Sequence, residues 1–538
     1  MFKKLRPHLI LALIFLVLTL AQQYLFYVIK DLEIAWLKPE KYLVHFLFLF
    51  GATFIKGQKR FIFLGFTFLL NFFQMAHLSY YGTLVMPAEI PRLLEVGEIF
   101  GTIKEETYHL LIPFLFVLVP SVIGIFANAR FKPAYQTRWA MIIFLTYIFF
   151  NPIRTLITGN QWGRQPNEKQ LGGTNIYLST SYFLGRILPH KISRGVDYVK
   201  GNSSSKLTLT KVAKPRWDKI VIVMGESLTP SHMSLFGYGK PTTPFLDSLK
   251  SNPRFFSTIG LSSAVSTDIS LAFFLNQGFG ASCPAKANKG NHCLFKLAKE
   301  QEYATHFLSI QSEDQLKNIA PYLCGSNLDS YRTLEEIDSE IEDHQAAQDR
   351  KLLKPFQELM VANTPQFIML HQRGSHSPFN LRYSKEADKF SNDKNVDPRI
   401  NHYDNSVYEF DLFWKELVAQ LTKDKRKTLV IYLSDHGESL GEGGGWGHGN
   451  LHRNVFEIPM MIMSFNDDLP LVVKEFPKYL TQYNLSLFIA QELGFSANQP
   501  VALLPEDYVI YGSDMDGFAG KAVIKFSPDG TYKEKLQP

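Results

Sequence analysis

The apolar residues of this 538-residue chain are strongly segregated: nearly all of the long apolar runs lie before about residue 157. The remainder has the mixed composition of a water-soluble chain. A helix that crosses a bilayer needs roughly 20 mostly apolar residues. Five segments meet or approach that length, at 8–29, 41–55, 61–82, 109–128 and 138–157. The pattern predicts an α-helical transmembrane bundle of five spans (residues 1–157), followed by a globular part.

Basic residues between these spans predict the orientation of the bundle. Three clusters lie before the first span, between the second and third, and between the fourth and fifth: Lys3, Lys4 and Arg6; Lys56, Lys59 and Arg60; Arg130, Lys132 and Arg138. Five spans place all three clusters on one side, which the positive-inside rule makes cytoplasmic. The N-terminus is then cytoplasmic, and everything after residue 157 lies on the other side. The net charge of +6, without a dense basic stripe, argues against a nucleic-acid partner.

Two polar segments adjoin the spans. Residues 83–108 are acidic, and their apolar residues recur at roughly helical spacing. This spacing fits either a helix in the membrane interface or a plain connector. Residues 158–215 are polar and predict a linker, with room for a helix along the membrane.

From 216 to 538, short apolar runs alternate with amphipathic ones, which is typical of an α/β domain with a central, mostly parallel sheet. Four runs predict strands clearly and two more weakly: 219–224, 367–370, 428–433 and 458–464, then 305–310 and 508–511. Three of the clear strands end in polar residues: Gly225-Glu226-Ser227, His371-Gln372-Arg373-Gly374-Ser375-His376, and Ser434-Asp435-His436-Gly437-Glu438. Ligands of such sheets bind at the carboxyl ends of strands. We therefore expect a Zn²⁺ or Mn²⁺ site with an open coordination position there.

Several runs of the chain resemble the sulfatase-like phosphoethanolamine transferases of the alkaline-phosphatase superfamily. The runs that carry the resemblance are 223–227, 234–238, 242–246, 371–378, 403–406 and, most specifically, Asp435-His436-Gly437-Glu438-Ser439-Leu440-Gly441-Glu442. The span count and a catalytic domain outside the cytoplasm fit the same family. The resemblance implies a bacterial inner-membrane protein whose residues 216–538 form a sulfatase-like periplasmic domain.

The resemblance also assigns roles to individual residues. It implies a Zn²⁺ site, with Mn²⁺ less favoured, formed by Glu226, Thr267, Asp435 and His436. Thr267 would be the nucleophile, and His376 and His448 would contact phosphate. Where the family usually has a proline shortly after the nucleophile motif, this chain has Ala272, and Ser266 can be aligned in place of Thr267. Glu438 is interpreted as a helix N-terminal carboxylate rather than as a partner of the site.

The implied reaction moves phosphoethanolamine from phosphatidylethanolamine, through a phospho-threonine, to an acceptor such as lipid A or lipopolysaccharide core. We expect a monomer, and the sequence does not specify the acceptor or the number of metal ions. A phosphoglycerol transferase of the lipoteichoic-acid-synthase type and a catalytically inactive membrane scaffold are the alternatives. A true sulfatase is disfavoured because no Cys-x-Pro-x-Arg run occurs.

The three cysteines, Cys283, Cys293 and Cys324, all lie in the second half. In an oxidising compartment, Cys283 and Cys293 are the expected disulfide, closing a short loop and leaving Cys324 over. Three unpaired thiols are the alternative. The absence of a CxxC pair argues against zinc binding by cysteine.

Overall fold

The computed structural model describes residues 2–29, 39–56, 58–81, 84–90, 96–130, 135–158, 172–189, 207–278, 292–340, 348–442, 445–505, 508–513, 520–527, 529 and 531–537. The chain divides into two compact units, which are described separately. The first comprises Met1–Asp197 with Gly441–Trp446, and the second comprises Tyr198–Leu440 with Gly447–Pro538.

The first unit is helical. Its helices are α1 Phe2–Ile29, α2 Pro39–Ala52, α3 Gln58–Tyr81, α4 Val96–Arg130, α5 Arg138–Thr158 and α6 Gly172–Tyr182, the last continuing into a π-turn at Phe183–Ile187. The first five overlap the five predicted spans. Within the described residues, Lys3–Val28 and Leu111–Arg130 are long and apolar enough to cross a membrane. The spans at α2, α3 and α5 stay a prediction. Helix α4 begins at Val96, so the second half of the acidic segment 83–108 is the start of this helix.

Apolar contacts hold α1, α3 and α4 together. Phe26, Met75 and Val117 lie in one buried cluster with Leu84, which follows α3. Helix α6, which falls in the predicted linker, is joined to this unit by polar contacts: Asn175 Oδ1 accepts from Gln74 Nε2 at 3.0 Å, and Ser179 Oγ donates to the carbonyl of Val85 at 2.8 Å. Paired polar groups of this kind stabilise helix contacts where water is scarce.

The second unit is an α/β domain. Its strands are β1 Leu209–Lys211, β2 Lys219–Gly225, β3 Phe255–Leu261, β4 Ala304–Ser309, β5 Ser330–Arg332, β6 Gln366–His371, β7 Thr428–Ser434, β8 Ser439–Leu440, β9 Trp446–Gly447, β10 Glu457–Phe465, β11 Tyr479–Thr481, β12 Phe495–Ala497, β13 Tyr508–Tyr511, β14 Lys521–Phe526 and β15 Tyr532–Gln537. Its α-helices are α7 Pro244–Ser248, α8 Thr267–Leu275, α9 Leu294–Glu300, α10 Glu313–Leu316, α11 Leu334–Ile337, α12 Leu353–Met360, α13 Pro398–Lys423, α14 Arg453–Phe456 and α15 Gln482–Glu492.

Eight strands form the central sheet in the order β11-β3-β10-β7-β2-β6-β4-β5. Strand β10 runs antiparallel to both neighbours, whereas the other pairings are parallel. The sheet is therefore mixed but mostly parallel. Strands β2, β6 and β7 are buried along their whole length, as apolar runs covered on both faces should be.

Two expectations about the strands need adjustment. The sequence pattern does not predict strands β3, β5 and β11 of the central sheet. The predicted strand at 508–511 forms, but it belongs to a separate antiparallel sheet, β13-β14-β15, rather than to the central one.

The expected disulfide between Cys283 and Cys293 is wrong. Cys293 is bonded to Cys324, which lies 31 positions further along the sequence, and the two Cα atoms are 6.6 Å apart. Cys293 immediately precedes α9 and is fully buried in the domain core, and Cys324 packs against the same core. The pairing therefore follows from packing in the core, and not from the short sequence distance between Cys283 and Cys293. Cys283 lies outside the described residues.

Candidate metal centre and active site

Three neighbouring strands bring their polar ends to one edge of the central sheet. Strand β2 lies between β6 and β7, with Met224 opposite His371 and Gly225 opposite Ser434. The residues that follow these strands are therefore neighbours, as the sequence predicts. The amide of Asp435 donates to the carbonyl of Gly225 at 3.0 Å, which locks two of the strand ends together.

Asp435 has one carboxylate oxygen engaged and one not. Oδ1 accepts from the backbone amides of Ser227 at 3.2 Å and His436 at 2.6 Å. Oδ2 is buried and has no hydrogen-bond partner among the described residues. Burial raises the pKa of Asp435 to about 7 and that of Glu226, which is also buried, to about 8. Two adjacent buried carboxyls with raised pKa values form a site that a cation would stabilise in its ionised form.

His436 supplies a lone pair to the same place. Its Nδ1 lies 2.8 Å from the carbonyl of Gly437, which can only accept, so Nδ1 carries the proton. Its Nε2 lies 3.4 Å from Asp435 Oδ2, and burial lowers the pKa of this imidazole to about 4. Once the Asp435 carboxyl has lost its proton, two acceptor atoms face each other, an arrangement that suits a metal ion. Carboxylate oxygens with one imidazole nitrogen are a donor set that fits Zn²⁺.

Thr267 is the first residue of α8, and its hydroxyl reaches the cluster. Oγ1 lies 3.2 Å from His436 Nε2. Ser266, the alternative, precedes the helix, and its hydroxyl donates to Asp268 Oδ1 at 2.9 Å. The structure therefore brings Thr267 to the buried acceptors and engages the Ser266 hydroxyl with another partner.

His376 and His448 line the more open side of the site. Their rings are 5.2 Å apart, and the ring of His448 stacks on that of His436 at 4.4 Å. His376 Nε2 lies 3.6 Å from Glu226 Oε1. The two side chains are 26% and 22% exposed, whereas those of Asp435 and His436 are fully buried. The expected metal ligands are thus at the floor, and the two expected phosphate contacts face the opening.

The interpretation of Glu438 as a helix N-terminal carboxylate is wrong. Strand β8 follows it, and its side chain is 1% exposed. Its Oε2 lies 3.1 Å from His448 Nδ1, so the carboxylate accepts a hydrogen bond from that ring. One ligand atom each from His436, Glu438 and His448 lie within 4.8 Å of one another, which would also suit a cation. The partner lies ten positions away, and this contact cannot be predicted from local pattern.

Sequence reasoning also missed the groups that surround Glu226 and His376. Gln311 Nε2 donates to Glu226 Oε2 and, at 3.1 Å, to the carbonyl of Gln372. Arg382 Nε donates to the carbonyl of His376 at 2.8 Å. Gln311 follows the end of β4 by two residues, so the strand-end argument could have found it, but Arg382 lies in a loop without such a signal.

Residues 218–481 match the sulfatase family, and every expected site residue falls inside that range. The second unit is a sulfatase-family domain. It belongs to the alkaline-phosphatase superfamily, as the resemblance implied. The sequence has no Cys-x-Pro-x-Arg run, the motif in which true sulfatases form their formylglycine nucleophile.

Several curated proteins that this chain resembles are phosphoethanolamine transferases. Phosphoethanolamine transferase EptA of Helicobacter pylori is 28% identical over 272 residues, 45% of this chain and 47% of that protein. The Kdo(2)-lipid A phosphoethanolamine 7''-transferase of Escherichia coli K12 is 29% identical over 258 residues, 45% of this chain and 44% of that protein. The chain thus matches about half the length of these relatives.

The solved structure of the integral membrane protein lipooligosaccharide phosphoethanolamine transferase A of Neisseria meningitidis has a similar fold. The TM-score is 0.57, and the match covers 92% of this chain and 95% of that chain at 16% identity. The similarity therefore extends to the helical unit as well as to the sulfatase-family domain.

Proposed function

We propose that this chain is a metal-dependent transferase that moves phosphoethanolamine from phosphatidylethanolamine to a cell-envelope acceptor such as lipid A or lipopolysaccharide core. The observation that supports the proposal most directly is the position of the Thr267 hydroxyl, 3.2 Å from His436 Nε2 and beside the unpartnered Oδ2 of Asp435. The named activities of the Helicobacter and Escherichia relatives support phosphoethanolamine as the transferred group.

Glu226, Thr267, Asp435 and His436 would hold Zn²⁺, which the family resemblance favours over Mn²⁺. The bound ion would lower the pKa of the threonine hydroxyl and polarise a phosphoryl oxygen. Gln311 orients Glu226, and the Gly437 carbonyl fixes the His436 tautomer. These contacts keep the donor atoms converged before substrate arrives.

The reaction would proceed in two displacements. Thr267 Oγ1 gives up its proton to solvent and forms a bond to the phosphorus of phosphatidylethanolamine, and the bond from phosphorus to the diacylglycerol oxygen breaks. His448 can protonate that leaving oxygen from Nε2, because the carboxylate of Glu438 at Nδ1 stabilises its charged form. His376 contacts the phosphoryl oxygens. An acceptor hydroxyl or phosphate then attacks the same phosphorus and releases Thr267.

The helical unit would place the domain beside both lipids. We propose that α1 to α5 are five spans of a bacterial inner membrane (residues 1–157), with the N-terminus cytoplasmic and residues 216–538 periplasmic. Residues 158–215 connect the two parts, and α6 is included in them. A donor and an acceptor held in one membrane reach the site at high effective concentration, so a monomer is sufficient.

Turnover of labelled phosphatidylethanolamine by the purified full-length protein tests the proposal. Mass spectrometry of the released and transferred groups should find diacylglycerol and phosphoethanolamine, whereas transfer of phosphoglycerol would support the lipoteichoic-acid-synthase alternative. Thr267→Ala should abolish both transfer and the phospho-threonine peptide, and Ser266→Ala should retain most activity. Full activity in Thr267→Ala would overturn the assignment of Thr267 as the nucleophile. If the unaltered protein binds no metal and shows no turnover, the inactive-scaffold alternative is favoured.

A further inference from the structure

The side-chain amide of Gln482 lies between two segments of the site. One is the nucleophile loop, which runs from Ser263 to Thr267, and the other is the metal-site loop, which begins at Ser434 and Asp435. Gln482 is the first residue of α15 and is fully buried. Its Oε1 accepts from the amide of Ser263 at 2.8 Å and lies 3.0 Å from Ser270 Oγ. Its Nε2 donates to the carbonyls of Ser434 at 3.2 Å and Asp435 at 3.0 Å.

The backbone partners determine how the amide is oriented. The Ser263 amide can only donate, so it must face Oε1, and the two carbonyls can only accept, so they must face Nε2. Both amide hydrogens and the carbonyl oxygen of the side chain are therefore used. The hydroxyl of Ser270 reinforces the connection, because it also donates to the carbonyl of Asp435 at 2.6 Å.

The two segments that Gln482 joins are the ones that carry the chemistry. Ser263 precedes Thr267 by four residues, and Ser270 lies one helical turn after Thr267 on α8. Ser434 ends β7, and Asp435 follows it directly. We propose that Gln482 is a positioning residue that sets the separation between the Thr267 hydroxyl and the metal ligands Asp435 and His436. The inference rests on the proposed function, because it assigns those residues their roles.

Each segment is also held by contacts that do not involve Gln482. The nucleophile loop is fixed by the amide of Val265 on the carbonyl of Tyr511 and by the amide of Gly449 on the carbonyl of Val265, both at 3.0 Å. The metal-site loop is fixed by Ser434 Oγ, which donates to the carbonyl of His436 at 2.7 Å. Loss of the Gln482 amide should therefore leave both loops folded and alter the distance between them. Misplacement of a reacting group by about 1 Å can cost roughly 100-fold in rate.

Gln482→Met removes the amide at similar volume, and Gln366→Met is the matched control. Gln366 is also buried and fully used, accepting from His306 Nε2 at 2.8 Å and donating to Thr364 Oγ1 at 2.8 Å. It lies at the start of β6, the opposite edge of the sheet from the site. Both variants should lose similar thermal stability because each loses a buried amide.

The measurements are kcat and KM for phosphatidylethanolamine, and the zinc dissociation constant by chelator competition. Relative to Gln366→Met, Gln482→Met should lower kcat by at least about 10-fold with KM within about twofold, and weaken zinc binding about 10-fold. Values of kcat and zinc affinity within about twofold of the control would overturn the inference. Ser270→Ala removes one hydroxyl of the same connection. It should lower kcat and weaken zinc binding by about threefold each, with KM unchanged.

The outcomes separate this inference from the proposed function. If the unaltered protein transfers phosphoethanolamine and Gln482→Met behaves as the control does, only the role of Gln482 fails. If the unaltered protein shows no transfer, the proposed function fails, and the zinc dissociation constants of the two variants still decide whether Gln482 positions Asp435. If Gln482→Met does not unfold cooperatively, and so is not properly folded, Ser270→Ala becomes the test. Unchanged kcat and zinc affinity in Ser270→Ala would then overturn the inference.

Discussion

His448 donates a hydrogen bond from Nδ1 to the buried carboxylate of Glu438, across 3.1 Å, while its ring stacks on that of His436. Glu438→Gln removes the negative charge that stabilises the protonated imidazole. We expect kcat for phosphoethanolamine transfer to fall about 10- to 100-fold, with the alkaline limb of the pH–rate profile displaced to lower pH, because the general acid His448 then loses its proton more readily. Glu358→Gln, at a 55% exposed surface carboxylate, should leave kcat unchanged. An unaltered pH profile in Glu438→Gln would show that this carboxylate does not act through His448.

Zinc affinity should rise steeply with pH. In the metal-free domain burial raises the pKa of Asp435 to about 7 and that of Glu226 to about 8, so protons must leave before the carboxylates bind a cation. The folded metal-free domain holds these protons where the unfolded chain has lost them, so its own stability falls as pH rises from the ordinary carboxyl range to about 8. We expect zinc binding to be at least about tenfold weaker at pH 6 than at pH 8. A dissociation constant that does not change over this interval would contradict the prediction.

Gly374 permits the close approach of two strand-end loops. Its φ is +58°, and a Cβ there would lie 2.2 Å from the carbonyl oxygen of Glu226 and 2.7 Å from its nitrogen. Gly374→Ala must therefore displace the backbone that carries Glu226. We expect loss of stoichiometric zinc and a fall in activity of about 100-fold or more. Gly239→Ala, where a Cβ meets nothing within 4 Å, is the control and should retain both.

Removal of the disulfide should cost stability. The bridge between Cys293 and Cys324 closes a loop of 31 positions, so the double Cys→Ser variant should lose about 2–4 kcal/mol of unfolding free energy. Cys283→Ser breaks no bond between the other two cysteines and should unfold as the unaltered protein does. The comparison is made by denaturant unfolding of the oxidised proteins. Equal destabilisation by Cys283→Ser would mean that the pairing is different.

Much of the active-site edge could be predicted because it depends on local signals. Strands β2, β6 and β7 are short runs with apolar centres, and each is followed by polar residues, so their carboxyl ends could be located before the fold was known. The same signal predicts that Glu226 and Asp435 are neighbours, because parallel strands end at one edge.

The remaining features depend on contacts between distant parts of the chain. The amide of Gln482 meets Ser263 across 219 positions, and the partner of Cys293 is chosen by the packing of α9 on the core. The Glu438–His448 pair depends on the path of the chain between β8 and β9. Hydrophobic periodicity does not encode these contacts, since it reports which face is buried but not what lies against it.

The residues of the site are far apart in sequence, and this separation determines when the site can assemble during folding. Ser227 and Asp435, which share a hydrogen bond at the base of the site, are 208 positions apart, so β2 and β7 must pair before the carboxylates converge. Contacts of such long range form late in folding because the loop that they close is long. The growing chain therefore has no complete candidate metal-binding site until β7 and the residues after it have been made, by which point six of the eight strands of the central sheet are present.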